Sequence, residues 1–251
     1  MTETLNTLME SLQHPDHNVR GRAVVRLGDL HDEGALNVLL GLLHTEHDFF
    51  VREDIVWSLA RFGEGAVPPL IDLLRDANSA VRHGAAHTLS KIGDARAVDG
   101  LMGALNDADP VVTAKIAFAL GRLGDARAIP ALGTLLSDEN IDVQLVVNTA
   151  LAGFGVAAIP LLTEATFAED WYVRERAADI LGLIGDQTAL PALIETLSDE
   201  EWQVRFAAVT ALGYIGGADA RAAVEGLRGD ADEKVRALVP KVLKRMKVKR
   251  A

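Results

Sequence analysis

The chain has no cysteine among its 251 residues, which excludes a disulfide scaffold, a zinc–thiolate centre and thiol catalysis. Aromatic residues are scarce, at 5%, so one large core built on ring packing is not expected. Cations are the minority charge: 25 Lys and Arg against 36 Asp and Glu leave a net charge of −11. That balance argues against a protein whose main task is gripping nucleic acid or anionic lipid. No apolar run approaches the ~18 residues that a membrane span requires. Residues Met1 to Gln13 include Glu3 and Glu10 and no continuous apolar stretch, so they do not read as a secretory signal, and a cytoplasmic address is expected. What is abundant is Ala, Leu, Val and 22 Gly within an apolar share of 49%. That mixture suits many short, closely packed helices.

A repeat organises it. Valine recurs at Val19, Val51, Val81, Val112, Val143, Val173, Val204 and Val235, at spacings of 32, 30, 31, 31, 30, 31 and 31 residues. Eight positions after each stands leucine, from Leu27 and Leu59 to Leu212 and Leu243. Three positions before each stands Asp, Asn or Glu: Asp16, Asp48, Asn78, Asp109, Asn140, Asp170, Glu201 and Asp232. Twelve positions after it, glycine occupies six of the eight units. The acid or amide predicts an N-cap, and the valine, small residues and leucine share one face at helical periodicity. The glycine predicts a left-handed helix stop. After a short turn another helix begins, with Pro68, Pro130, Pro160 and Pro191 in its first turn, where a missing N–H costs little. Counting the proline-started helix first and the capped helix second gives eight hairpins. The first helix is expected at Glu3–Gln13 and the last at Asp232–Lys247. A lone hairpin cannot bury its own apolar face, so stacking on neighbours must supply stability.

The pattern Asp170-Trp-Tyr-Val-Arg174 through Leu181-Gly-Leu-Ile-Gly-Asp186 resembles the HEAT-like repeat of the phycobilin-lyase type, and the resemblance covers essentially the whole chain. It implies an all-α, right-handed α-solenoid of about eight two-helix repeats over residues 1–251, with capping hairpins at about 3–30 and 218–250 and the second helices lining the concave side. That family includes pigment-lyase subunits, assembly factors and interaction modules, so function must be sought in individual residues.

The arginine after the valine (Arg20, Arg52, Arg82, Arg174, Arg205 and Arg236) predicts an ion-pair ladder to the turn acids Asp94, Asp125 or Asp186. Thr113 and Gln144 interrupt it, and Asn148 stands where other units carry Ala or Val, so this part is read as drift, a softer joint or a partner site. The basic residues Lys241, Lys244, Arg245, Lys247, Lys249 and Arg250 are read as favourable charge at a helix C-terminus.

Taking the valine as zero, positions −1, +2, +3, +6 and +10 of the second helix should face outward. They hold Phe50, Trp57, Val111, Phe118, Leu145, Val146, Tyr172, Leu183, Phe206 and Tyr214. Apolar groups clustered at surface positions mark an interaction site. The anchors expected for a protein or peptide partner are Trp57, Phe118, Leu145, Tyr172, Phe206 and Tyr214, with Arg61, Arg122, Glu175 and Asp179 orienting it. Trp171 and Trp202 are read as packing residues. Units two to four place Trp57, Arg61, Lys91, Phe118 and Arg122 together, whereas units six and seven set Tyr172, Phe206 and Tyr214 beside Glu175 and Asp179. An extended partner with one acidic and one basic end would fit.

His83 and His87 have metal-compatible spacing, with Glu53 a conceivable third ligand, but are read as solvated histidines. No His-Glu dipeptide occurs, so the resemblance does not extend to the HEAT-repeat di-iron hydroxylase of deoxyhypusine. No phosphate loop, serine elbow or paired-carboxylate motif appears. The expectation is therefore a non-catalytic, monomeric binding scaffold without cofactor, metal, nucleic-acid or membrane partner, the alternative being a subunit of a phycobilin lyase-like or cofactor-handling assembly factor.

Overall fold

The computed structural model describes residues 5–248 and contains sixteen α-helices and no strand among them. Glu3, Lys249 and Arg250 lie outside the described residues. The helices fall into a first unit that reaches Asp125 and a second that starts at Ala126. In the first, the hairpins are α1 (Leu5–Ser11) with α2 (His17–Leu30), α3 (Glu33–Thr45) with α4 (Phe49–Ala60), α5 (Val67–Leu73) with α6 (Ser79–Ile92), and α7 (Val98–Gly103) with α8 (Pro110–Leu123). In the second they are α9 (Ala128–Gly133) with α10 (Ile141–Gly153), α11 (Ile159–Ala165) with α12 (Trp171–Ile184), α13 (Leu190–Thr196) with α14 (Trp202–Ile215), and α15 (Ala218–Gly226) with α16 (Glu233–Val248). Each unit is a stack of helical hairpins. Short 3₁₀ turns, such as Gly63–Ala66 and Gln187–Ala189, lead into several of the first helices.

The helix boundaries follow the repeat chemistry. Asp16, Asp48, Asn78, Asp109, Asn140 and Asp170 cap the second helices, each side chain accepting from an early backbone N–H. Such a cap contributes about 1 kcal/mol. Glu201 occupies the same place without a side-chain cap bond. The six repeat glycines all have positive φ, between 54° and 76°, the region a β-carbon disfavours. In the first hairpin His31 takes that conformation at φ 52°.

The repeat leucines from Leu27 to Leu243 are at most 3% exposed, and six of the eight valines are buried; Val19 and Val173 are half-buried. Full burial of such a side chain contributes about 1.5–3 kcal/mol. Close approach completes the packing: a β-carbon on Gly182 would lie 2.7 Å from the Ala211 Cα, so α12 and α14 meet backbone to backbone. No single helix among the described residues is long and apolar enough to cross a membrane, and the apolar pair Ile141–Gly153 and Gly155–Ala165 is folded back by 115°.

The arginine ladder exists, but its partners differ from those expected. Arg20 pairs with Glu46, Arg82 with Asp107, Arg174 with Asp199 and Arg205 with Asp230, at 2.6–2.8 Å between Nε and carboxylate. Asp94 and Asp186 instead accept from the N–H groups of Arg96 and Thr188. The reason is longitudinal. The arginine lies in the first turn of the second helix, and the glycine turn lies at the other end, about 20 Å away for ~14 residues. The acid within reach precedes the next hairpin's cap by two residues, where it also accepts that cap residue's N–H, as Asp107 does from Asp109 at 2.8 Å. Arg82 Nη1 meanwhile takes the carbonyls of Asp76 and Ala77. Arg52 departs from this scheme and binds the carbonyls of Leu43, Glu46 and Ala80. At the interruptions, Thr113 and Gln144 keep a bond to the carbonyl six residues back, at 3.3 and 2.9 Å.

Candidate partner-binding faces

In the first unit the outward face of the second helices carries aromatic rings with cations on them. Trp57 on α4 is 55% exposed and Phe118 on α8 is 41% exposed, with α6 packed against both helices. Lys91 Nζ lies 4.4 Å from the Trp57 ring centre, and Lys115 Nζ lies 5.5 Å from that of Phe118. These are cation–π distances. Arg122 is exposed. Arg61, expected to orient a partner, instead donates to Asp29 from its Nη2.

The histidines are not solvated as expected. His87 is buried and His83 half-buried. Burial first, and Lys115 next, lower both pKa values from 6.5 to about 4, so both rings are neutral at pH 7. Their centres are 6.1 Å apart, and His87 Nδ1 is 3.4 Å from Glu53 Oε1. No group of three or more His, Asp or Glu among the described residues is arranged to hold a metal. The close packing of α6 between α4 and α8 turns the +6 side chain inward at this point.

Two features were not singled out from sequence. Lys115, at position +3, is half-buried, and burial lowers its pKa. A groove of about 630 Å³ also opens between α2 and α4, lined by His17, Arg22, Val25, Phe50 and Asp54 among others. Its signal was Gly21, where a β-carbon would meet Asp54 Oδ2 at 2.6 Å.

In the second unit cations again lie on rings, Arg176 5.8 Å from the Tyr172 centre and Lys234 3.9 Å from that of Trp202, and carboxylates stand beside them. Leu145 on α10 is 67% exposed and Tyr214 on α14 is 49% exposed, whereas Tyr172 and Phe206 are half-buried. Trp171 packs edge-on to Tyr172, and Trp202 edge-on to Phe206, with centroids 5.8 and 6.3 Å apart. Arg245 covers the Tyr214 ring at 4.5 Å. Burial raises the Glu175 and Asp179 carboxyls, with Asp179 also acting on Glu175. Asp179 remains open to solvent, as a side chain lying in a hollow does.

Position +3 is not outward here: Arg176 is buried. Its Nη1 donates to the Leu136 carbonyl at 2.6 Å, and its Nη2 to Asn148 Oδ1 at 2.9 Å and the Gln144 carbonyl at 3.3 Å. Asn148 is thereby explained as an acceptor for a buried guanidinium, not as part of an exposed site. The structure thus gathers Trp57, Lys91 and Phe118 on one face, and Tyr172, Glu175 and Asp179 on one helix of another, while Arg61 is engaged elsewhere.

A model of HEAT repeats matches residues 1–60, 51–115, 99–167 and 159–244. An uncharacterized phycocyanin operon protein Z of Pseudanabaena tenuis is 33% identical over 90 residues, 36% of this chain and 44% of that protein. The chain therefore spans less than half the length of the curated relative it matches. Among solved structures, one from work on microtubule plus end tracking by XMAP215, CLIP-170 and EB1 aligns with TM-score 0.56 and 17% identity, over 72% of this chain and 90% of that one. The CpcE–CpcF complex of phycocyanin lyase from Nostoc sp. aligns with TM-score 0.45 and 22% identity, over 97% and 95%. Human deoxyhypusine hydroxylase aligns with TM-score 0.42 and 22% identity, over 97% and 96%. At 17% identity the first of these likenesses is one of fold alone.

Proposed function

The chain belongs to the HEAT-repeat family, and from that premise we propose that it is a non-catalytic scaffold that binds a protein or peptide on the outward face of its second helices. The observation that carries this reading is that each unit leaves large apolar side chains 41–67% exposed on its second helices, Trp57 and Phe118 in the first and Leu145 and Tyr214 in the second. Because these side chains are already about half-buried, covering the rest of each contributes roughly 0.75–1.5 kcal/mol, half of the value for a whole side chain. A Trp57→Ala/Phe118→Ala/Phe206→Ala variant should keep its helical circular dichroism and lose the partners that the native chain captures. Unchanged capture would sink the reading.

A second reading, a subunit of a lyase-like or cofactor-handling assembly, is supported by the partial match to a phycocyanin operon protein. It predicts visible absorbance that stays with the chain through gel filtration after incubation with a bilin. A binding scaffold predicts none.

A further inference from the structure

We propose that the α4–α6–α8 face of the first unit is a docking surface for an acidic peptide segment that carries large apolar side chains. This rests on the scaffold reading and names the chemistry of the partner.

Charge placement carries the inference. Elsewhere in the first unit, Arg20, Arg61, Arg82 and Arg96 each pair with a carboxylate, Arg52 is held by carbonyls, and the exposed Arg22 and Arg75 have no salt bridge among the described residues. Lys91, Lys115 and Arg122 have no such partner among the described residues. Glu53, the carboxylate on this face, lies against His87. Three cations without a salt bridge thus share one face with a single carboxylate, Glu53, which acts on Lys115 from beyond salt-bridge distance, in a protein whose net charge is −11. They coincide with its exposed rings: the Lys91 ammonium sits on Trp57 and the Lys115 ammonium near Phe118. Each ring and ammonium form one composite target. An incoming Leu or Phe would cover the ring while a neighbouring carboxylate reached the ammonium.

Lys115 adds a directional argument. Its charge is half-buried with no carboxylate in salt-bridge contact, and Glu53 offsets its burial only in part, so a partner's carboxylate would offset a desolvation cost the free protein already bears. Polyphosphates fit less well. Nucleic acids and anionic membranes present extended arrays of negative charge, which the overall −11 repels.

The test is fluorescence anisotropy at low salt with the full chain and a labelled peptide in which Glu and Asp alternate with Leu and Phe. Comparators are the same peptide with Lys for every acid, a DNA duplex and phosphatidylserine vesicles. The acidic peptide should bind, and binding should weaken about tenfold, or ~1.4 kcal/mol, in Lys91→Ala/Lys115→Ala and in Trp57→Ala. Lys91→Arg/Lys115→Arg should retain it, as should Phe206→Ala. No binding of the acidic peptide, unchanged affinity in the double alanine variant, or tighter binding of a comparator would each overturn the proposal. The two readings fail separately. If the triple aromatic variant loses its captured partners while Lys91→Ala/Lys115→Ala binds the acidic peptide normally, the charge assignment falls and the scaffold stands. If neither set of substitutions changes binding, both fall.

Discussion

Lys115 in the first unit and Arg176 in the second occupy the same register, three residues after the repeat valine, and they meet opposite fates. Arg176 is drawn inside, where three carbonyls and Asn148 use its donors. Lys115 stays at the margin, beside Phe118 and without a carboxylate. The consequence is electrostatic. Where the cation is taken up internally, Glu175 and Asp179 are left uncompensated on the surface. Where it is not, the cation adds to burial, the larger cause, in holding the adjacent histidines neutral. One repeat template therefore takes the +3 cation inside or leaves it at the margin according to whether it is a guanidinium, which can satisfy several acceptors at once, or an ammonium.

The largest expected effect tests that difference directly. Arg176→Met should destabilise the protein by about 2–4 kcal/mol in urea denaturation, because it strands buried acceptors. Lys115→Met should stay within about 0.5 kcal/mol of native. Equal costs would break the comparison.

Next comes pH. The folded-state pKa of His83 and His87 is lowered from 6.5 to about 4, so between those values the unfolded chain binds more protons and stability falls as pH falls. His83→Gln/His87→Gln should flatten that decline by about 1–2 kcal/mol after solvent screening, read from melts at pH 4.5 and 7. A decline of native steepness in the variant would refute the assignment.

A smaller gain is expected from completing a missing rung. Gln144→Arg/Ala168→Asp puts the arginine after the repeat valine and the acid two residues before the Asp170 cap, the places of the intact pairs, and should stabilise the protein by about 0.5–1 kcal/mol. Thermal melts of the single and double variants would show whether the gain needs both residues.

The smallest effect has the opposite pH sense. Glu175 and Asp179 have raised folded-state pKa values, so the stability linked to their protonated forms is present below the usual carboxylate range and lost as pH rises through the raised values. Glu175→Gln/Asp179→Asn should therefore stabilise the protein at pH 7 by a few tenths of a kcal/mol after screening. The gain should vanish near pH 4; a gain independent of pH would point to packing instead.

The hairpins were legible because four positions recur eight times, each with a local job: capping, core filling or helix stopping. The exposed rings were legible for the same reason, since Trp57, Phe118 and Leu145 stand where the template faces water. What could not be read depends on which end of a helix meets which neighbour. The arginine ladder was expected to reach Asp94, Asp125 or Asp186 because helix length was left out of account. Arg176 and His87 read as surface residues because periodicity gives direction around a helix but not the depth to which neighbouring helices close over it. Asn148 stood out as an anomaly, yet its reason lies 28 residues away at Arg176.

The ladder has one consequence for how such a chain can change its length. Each intact rung joins the start of one second helix to the loop 25 or 26 residues on, and the donor and acceptor recur in every hairpin that has them. Duplicating or deleting a segment cut at the glycine turns hands each arginine an equivalent acid from the new neighbour. Cutting just before a cap would separate the acid from the helix start whose N–H it holds. The glycine turns are therefore the seams along which this protein can be lengthened, shortened or spliced without reworking its joints.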